Sequence, residues 1–176
     1  MRDACAAYRT PVDYGLYRFG LERVAALIAA GFPTRIYYVA YPHNAFDTHV
    51  NQADTHARIL TYTSDHIAAF LQDMARIGRA DDVAVMVFSD FGRRVAENAN
   101  LGTDHGTAGI AFVAGKPVSG GHYGCMPSLT DLDDGNVRYS TDFRRLYATM
   151  ITSWMCFPDA KSVLKQDFEP LGVFPA

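Results

Sequence analysis

Three groups of residues in this chain carry side chains suited to metal chemistry: Asp47-Thr48-His49, Asp90, and Asp104-His105. Carboxylate oxygen and imidazole nitrogen are donors that hold zinc, and sets richer in oxygen suit manganese or calcium. The expected cofactor is therefore a divalent metal, zinc first, with manganese or calcium as the alternatives. Arg93 and Arg94 follow Asp90 closely. Their guanidinium forks match the oxygens of phosphate or sulfate; the alternative is two surface arginines that meet Glu97 or solvent. Of the other histidines, His56 lies near the Asp47–His49 segment and suits an outer hydrogen-bonding role. His66 is expected on a helix surface, and His43 and His122 in loops. The chain has no GxSxG elbow, no GxxxxGK[ST] loop and no HExxH helix. Cys125, between Gly124 and Met126, has no evident base beside it, so a cysteine nucleophile is not expected.

These residues need elements to position them. The apolar, β-branched run Val83 to Phe88 reads as a buried strand that ends at Ser89-Asp90. A carboxylate at a strand end lies where open α/β sheets bind ligands. A polar loop is expected next, closing with Gly102-Thr103-Asp104-His105-Gly106, whose glycines let the backbone turn and bring both side chains to one point. Ile110 to Ala114 reads as a further strand. Upstream, Arg18 to Ala30 fits a helix stopped by Gly31 and Pro33, and Thr34 to Tyr41 fits a strand leading into the loop before Asp47.

Gln52 to Ile77 reads as a long helix, with Leu60, Ile67, Leu71, Met74 and Ile77 on one stripe. Asp133-Asp134-Gly135 marks a turn and Val137 to Ser140 a short edge strand. Thr141-Asp142 caps a helix running through Trp154. Alternating helices and strands predict one α/β domain over residues 1–176. Its sheet is expected to be mainly parallel. Ile36–Val39 and Val83–Val87 would be central neighbours, joined by the long helix as a right-handed crossover.

Composition narrows the function classes. With 16 basic against 19 acidic residues the net charge is −3, which leaves no electrostatic footprint for nucleic acid. Cys5, Cys125 and Cys156 are far apart and odd in number, which fits buried thiols rather than a disulfide framework or a cysteine zinc site. No apolar run reaches the roughly 20 residues of a membrane span. The N-terminus lacks a signal peptide's hydrophobic core.

The series AFDTHVNQ (45–52), FSDFGRRVAEN (88–98), GTDHGTAGIAFVAG (102–115) and TDFRRLYATM (141–150) resembles the C-terminal half of the domain-of-unknown-function 1501 proteins. These are bacterial, commonly exported, sulfatase-like proteins of the alkaline phosphatase superfamily. The resemblance runs from about Leu21 onward. It implies a doubly wound α/β sandwich with two metal ions at the carboxyl edge of a mainly parallel sheet. Asp47, His49 and His105 resemble one metal site of that superfamily, with Asp104 as an outer partner or added ligand. Asp90 resembles the first ligand of the other, but Phe91 stands where its histidine usually follows.

The superfamily's nucleophile and N-terminal Asp have no match here. The chain is therefore expected to be an incomplete domain, with an export signal upstream in full-length, periplasmic relatives. An exposed sheet edge would then favour self-association. The implied activity is metal-dependent hydrolysis of phosphate or sulfate esters, on a small-molecule or glycan substrate. The alternative is a non-catalytic binding module that keeps the fold with a degenerate metal site.

Overall fold

The computed structural model describes residues 1–15 and 19–175, and its backbone divides into two compact units. The first unit comprises residues 1–83 and 97–103, the second residues 84–96 and 104–176.

In the first unit, α1 (Arg2–Ala7) and α2 (Leu21–Ala29) precede α3 (Gln52–Arg76). The expected start of α2 at Arg18 lies outside the described residues. Gly31 and Gly78, with φ of 71° each, follow α2 and α3 in the left-handed region where glycine carries no Cβ penalty. Val24, Ala25 and Ala26 of α2 are buried, as are Ile59, Ala69, Phe70 and Met74 of α3.

The buried face of α3 is not the purely apolar stripe that its sequence suggests. It includes Gln52, Ile59, His66 and Asp73, which recur every seven residues and so share one side of the helix. Leu60 is half exposed. His66, expected on the surface, is 1% exposed. Burial is tolerated because its imidazole is satisfied on both edges. Its Nε2 accepts from the Phe19 backbone N–H at 3.1 Å, so Nδ1 carries the proton and donates to the Tyr14 carbonyl at 2.8 Å.

Asp73 is fully buried and accepts four hydrogen bonds. Oδ2 takes the Tyr8 and Tyr14 hydroxyls at 2.8 and 2.9 Å, and Oδ1 takes the Thr10 hydroxyl and Arg76 Nε at 2.8 Å each. This network ties the N-terminal segment to α3.

Residues 34–41 carry no strand assignment. Their accessibility alternates as on an extended chain, with Ile36 and Tyr38 more than 70% exposed. The expected strand–helix–strand crossover is therefore not formed. In the second unit, β1 (Val85–Val87) pairs antiparallel with β4 (Phe112–Ala114), with Met86 opposite Val113. The mainly parallel central sheet is corrected accordingly: the protein is mixed α and β with small antiparallel sheets. Parallel strands are normally covered on both faces, whereas Val85, Met86 and Val87 are only half-buried, which an antiparallel pair accommodates.

The expected polar loop after Asp90 is also corrected. It contains β2 (Gly92–Glu97), paired with β3 (Thr103–Gly106). The five residues between them are too few for a parallel crossover, so the pair is an antiparallel hairpin. The expected strand Val137–Ser140 is reduced to β6 (Asn136–Val137), paired with β5 (Leu132–Asp133). Asp134 and Gly135 turn between them with φ of 48° and 75°, the signature of a tight hairpin turn.

Helix α4 (Phe143–Thr149) starts at Asp142, as its sequence predicts. The Asp142 carboxylate accepts from the Arg144 backbone N–H at 2.9 Å and pairs with its guanidinium at 2.6 Å. Arg144 thereby holds the Asp142 carboxyl down to about 2. A π-helical turn, Met150–Trp154, continues α4, and α5 (Ala160–Leu164) follows. The fully buried Thr149 hydroxyl donates to the Arg145 carbonyl and accepts from the Leu171 N–H, both at 2.7 Å, which secures the C-terminal segment. Among the described residues no helix is long and apolar enough to cross a membrane.

Candidate metal centre

In the first unit, Asp47 and His49 sit on the loop before α3. A 3₁₀ turn, Pro42–Asn44, leads in, and the Asp47 N–H donates to the Asn44 carbonyl at 2.8 Å. Asp47 Oδ1 lies 2.9 Å from His49 Nε2, and both side chains are roughly two-fifths exposed (43% and 40%). The carboxylate and imidazole anticipated as ligands are thus neighbours.

A second loop, residues 98–102, clamps the first. The Asn98 side chain donates to the His49 carbonyl at 3.2 Å, while its own oxygen accepts the Asn100 and Gly102 N–H groups. The Asn51 and Gln52 N–H groups donate to the Asn100 and Leu101 carbonyls at 2.9 Å each.

Gln52, 8% exposed, joins the two motifs. Its amide nitrogen donates to the Thr48 carbonyl at 3.0 Å and hydroxyl at 2.9 Å, and its oxygen accepts the Thr103 hydroxyl at 2.8 Å. Thr48 lies between Asp47 and His49, and Thr103 directly precedes Asp104-His105. His43, Asn44, Asn51 and Leu101 all hold positive φ (44° to 60°) around these loops. Non-glycine residues in that region store strain that surrounding structure must sustain, and such strain clusters at functional sites.

Gly102 is the position where the two loops come closest. A Cβ there would collide with the His49 backbone carbonyl. Gly102→Ala is expected to push the loops apart and weaken metal binding while leaving the α2–α3 core folded. Metal titration beside a thermal melt checks this; an alanine variant that binds as the parent does counts against the clamp.

In the second unit, Asp90 is exposed in a bend after β1, where the Ser89 hydroxyl oxygen accepts the Phe91 N–H at 3.4 Å. Asp104 and His105 lie on β3 rather than in a loop, so the pleat sends their side chains to opposite faces. The His105 imidazole is stacked flat on Phe91, ring centroids 3.8 Å apart and planes 9° from parallel. The same alternation separates the two arginines of β2. Arg93 lies over the Phe91 ring at 5.0 Å, and Arg94 Nη1 is beside Gly135.

His56 meets Phe46 edge-on at 5.8 Å and, with Leu60, Glu97, Leu101 and Thr103, lines an open cleft of about 360 Å³ in the first unit. His66 belongs to the core. Sequence reasoning missed Gln52 and Asn98 as supports. The one available signal was the turn composition of Asn98-Ala99-Asn100-Leu101-Gly102. By donor chemistry, Asp47 and His49 are the paired candidate ligands of the first unit, and His105 is the candidate imidazole of the second.

A family model described as "Protein of unknown function (DUF1501)" matches residues 9–160. No curated protein and no solved structure matches the chain.

Proposed function

The chain belongs to the DUF1501 family of proteins of unknown function, and we propose that it acts as a metal-dependent hydrolase of phosphate or sulfate esters. The observation that carries this reading is the Asp47–His49 pair, held at 2.9 Å on a loop tied to residues 98–102. That separation fits the donor set. Two ligands sharing one ion through bonds of about 2.0–2.1 Å stand about 3 Å apart. Asp47 and His49 would hold the ion with His105, the third ligand that the motif resemblance implies, zinc by preference for two imidazoles and one carboxylate, with manganese or calcium as alternatives. A divalent cation held there would polarise an ester oxygen and lower the pKa of a nearby water.

The chain's own residues supply binding and orientation. Gln52 sets Thr48 and Thr103, the neighbours of the proposed ligands, in one hydrogen-bonded array. The guanidinium of Arg93 is suited to the non-bridging oxygens of an ester, whereas Arg94 lies on the other face of β2. The organic part of the substrate would lie in the cleft lined by His56, Leu60 and Leu101. Asp90 would be a supporting carboxylate, whereas Asp104, on the face of β3 opposite His105, would not. The sulfatase-like kinship implied by the motifs supports the same chemistry.

A non-catalytic binding module is the second reading. The exposure of Asp47 and His49 favours it, because catalytic electrostatics gain most where water is excluded. One experiment separates the two. The metal-stripped chain is titrated calorimetrically with Zn²⁺ and Mn²⁺, then supplied with 4-nitrophenyl phosphate and 4-nitrophenyl sulfate. The hydrolase reading expects single-site uptake and metal-dependent release of nitrophenolate from one ester. Uptake without turnover, or no uptake at all, removes the hydrolase and leaves the binding module with its degenerate metal site.

A further inference from the structure

We propose that the open cleft beside α3 binds a small organic cation, an apolar body carrying an ammonium group, and that Glu97 selects the charge. Naming this ligand as the organic part of the ester rests on the hydrolase reading above; its binding needs no metal.

The cleft lies wholly within the first unit. One wall is a face of α3, where Ala53, His56, Ala57 and Leu60 stand three and four residues apart. The other is the segment that starts at Glu97, the last residue of β2, and runs to Thr103. The volume of about 360 Å³ falls in the roughly 300–1,000 Å³ of small-ligand sites. Leu60 and Leu101 are 50% and 60% exposed, so each presents apolar surface that a ligand would cover. Gln52, which also lines the cleft, donates to Thr48, so the cleft adjoins the Asp47–His49 loop.

Charge decides the ligand class. Among the described residues that line the cleft none is a lysine or arginine, and Glu97 is the one carboxylate. An organic anion would meet repulsion there with no cation to offset it, whereas an ammonium would meet an exposed acceptor. An exposed ion pair contributes little in water. Apolar contact with Leu60 and Leu101 therefore supplies most of the affinity, and Glu97 supplies the preference.

The test titrates the metal-free chain with phenethylamine, phenethyl alcohol and hydrocinnamate, which share one apolar body and differ in charge. NMR follows the methyl resonances of Ala53, Ala57, Leu60 and Leu101. Saturable shifts are expected, with the amine bound about two- to five-fold more tightly than the alcohol, the range an exposed ion pair supplies. The carboxylate should bind most weakly. Glu97→Gln keeps the shape and removes the charge, and is expected to bind amine and alcohol alike. No saturable shift of these methyls with any of the compounds overturns the site. Hydrocinnamate bound as tightly as the amine, or the amine preference retained in Glu97→Gln, overturns the charge selection. Zn²⁺ titration of the same samples reports on the metal reading separately. Amine binding without Zn²⁺ uptake leaves the site and removes the hydrolase; Zn²⁺ uptake without amine binding overturns the site alone.

Discussion

Asp73→Ala is expected to destabilise the first unit by about 1–3 kcal/mol, the cost of leaving a buried polar group, here chiefly the Tyr14 hydroxyl, without its partner. The substitution removes the acceptor for the Tyr8, Thr10 and Tyr14 hydroxyls and for Arg76 Nε at once. Arg76 retains only water and the Tyr8 hydroxyl at 3.0 Å. Urea unfolding should show a lower midpoint.

The pH dependence has a definite sign. Burial acts to raise the Asp73 carboxyl, but hydrogen bonds from Thr10, Arg76, Tyr8 and Tyr14 outweigh it and hold it below its ordinary 3.8. As pH falls, the unfolded chain takes up this proton first. The contribution of Asp73 is therefore complete above about 3.8 and is lost as pH drops through the lower folded value. Burial and the Asp73 carboxylate push the Tyr14 phenol above its ordinary 10.0, so its contribution is complete below 10 and declines as pH rises through the higher folded value. Asp73→Ala should flatten both limbs of the stability profile. A variant whose urea midpoint matches the parent at neutral pH would show the network to be dispensable.

His49→Ala and His105→Ala are each expected to abolish measurable Zn²⁺ uptake. Each removes a proposed ligand, a larger loss than the roughly 10–100-fold that follows removal of an outer hydrogen-bonding partner. His66→Ala is the informative comparison. It removes the acceptor for the Phe19 N–H and the donor to the Tyr14 carbonyl, so it should lower the melting temperature while the remaining folded chain still binds metal. Calorimetric titration of the three variants below their melting temperatures distinguishes the roles. Unchanged Zn²⁺ affinity in His49→Ala would sink the proposed centre.

The elements that were legible in the sequence are those set by local chemistry. Helix α3 begins at Gln52 and ends one residue before the expected Ile77, ahead of Gly78. Asp142 caps α4 because a short carboxylate before a helical run accepts a free N–H wherever it occurs. Asp134-Gly135 turns a hairpin because both positions tolerate positive φ. Asp47 and His49 could be singled out by donor type, and two residues of separation let them meet.

Strand pairing was not legible. The run Val83–Phe88 reads as buried and parallel by composition, yet pairing direction depends on which distant segment supplies the hydrogen bonds, here Phe112–Ala114. Strands β2 and β3 escaped notice because Gly92–Glu97 and Thr103–Gly106 are too polar to show an apolar alternation.

By itself the sequence determined helices α2, α3 and α4, the caps and turns, the family and the residue types able to bind a metal, all of which follow from short-range preferences and side-chain chemistry. Tertiary structure alone decided which face of α3 is buried. Hydropathy places Gln52, His66 and Asp73 outside, but a polar group can be buried once partners far along the chain satisfy it. Tyr8, Thr10 and Tyr14 do so for Asp73, Phe19 and Tyr14 for His66, and Thr103 with Thr48 for Gln52. The same holds for the stack of His105 on Phe91, because rings fourteen residues apart meet only after the hairpin has brought them face to face.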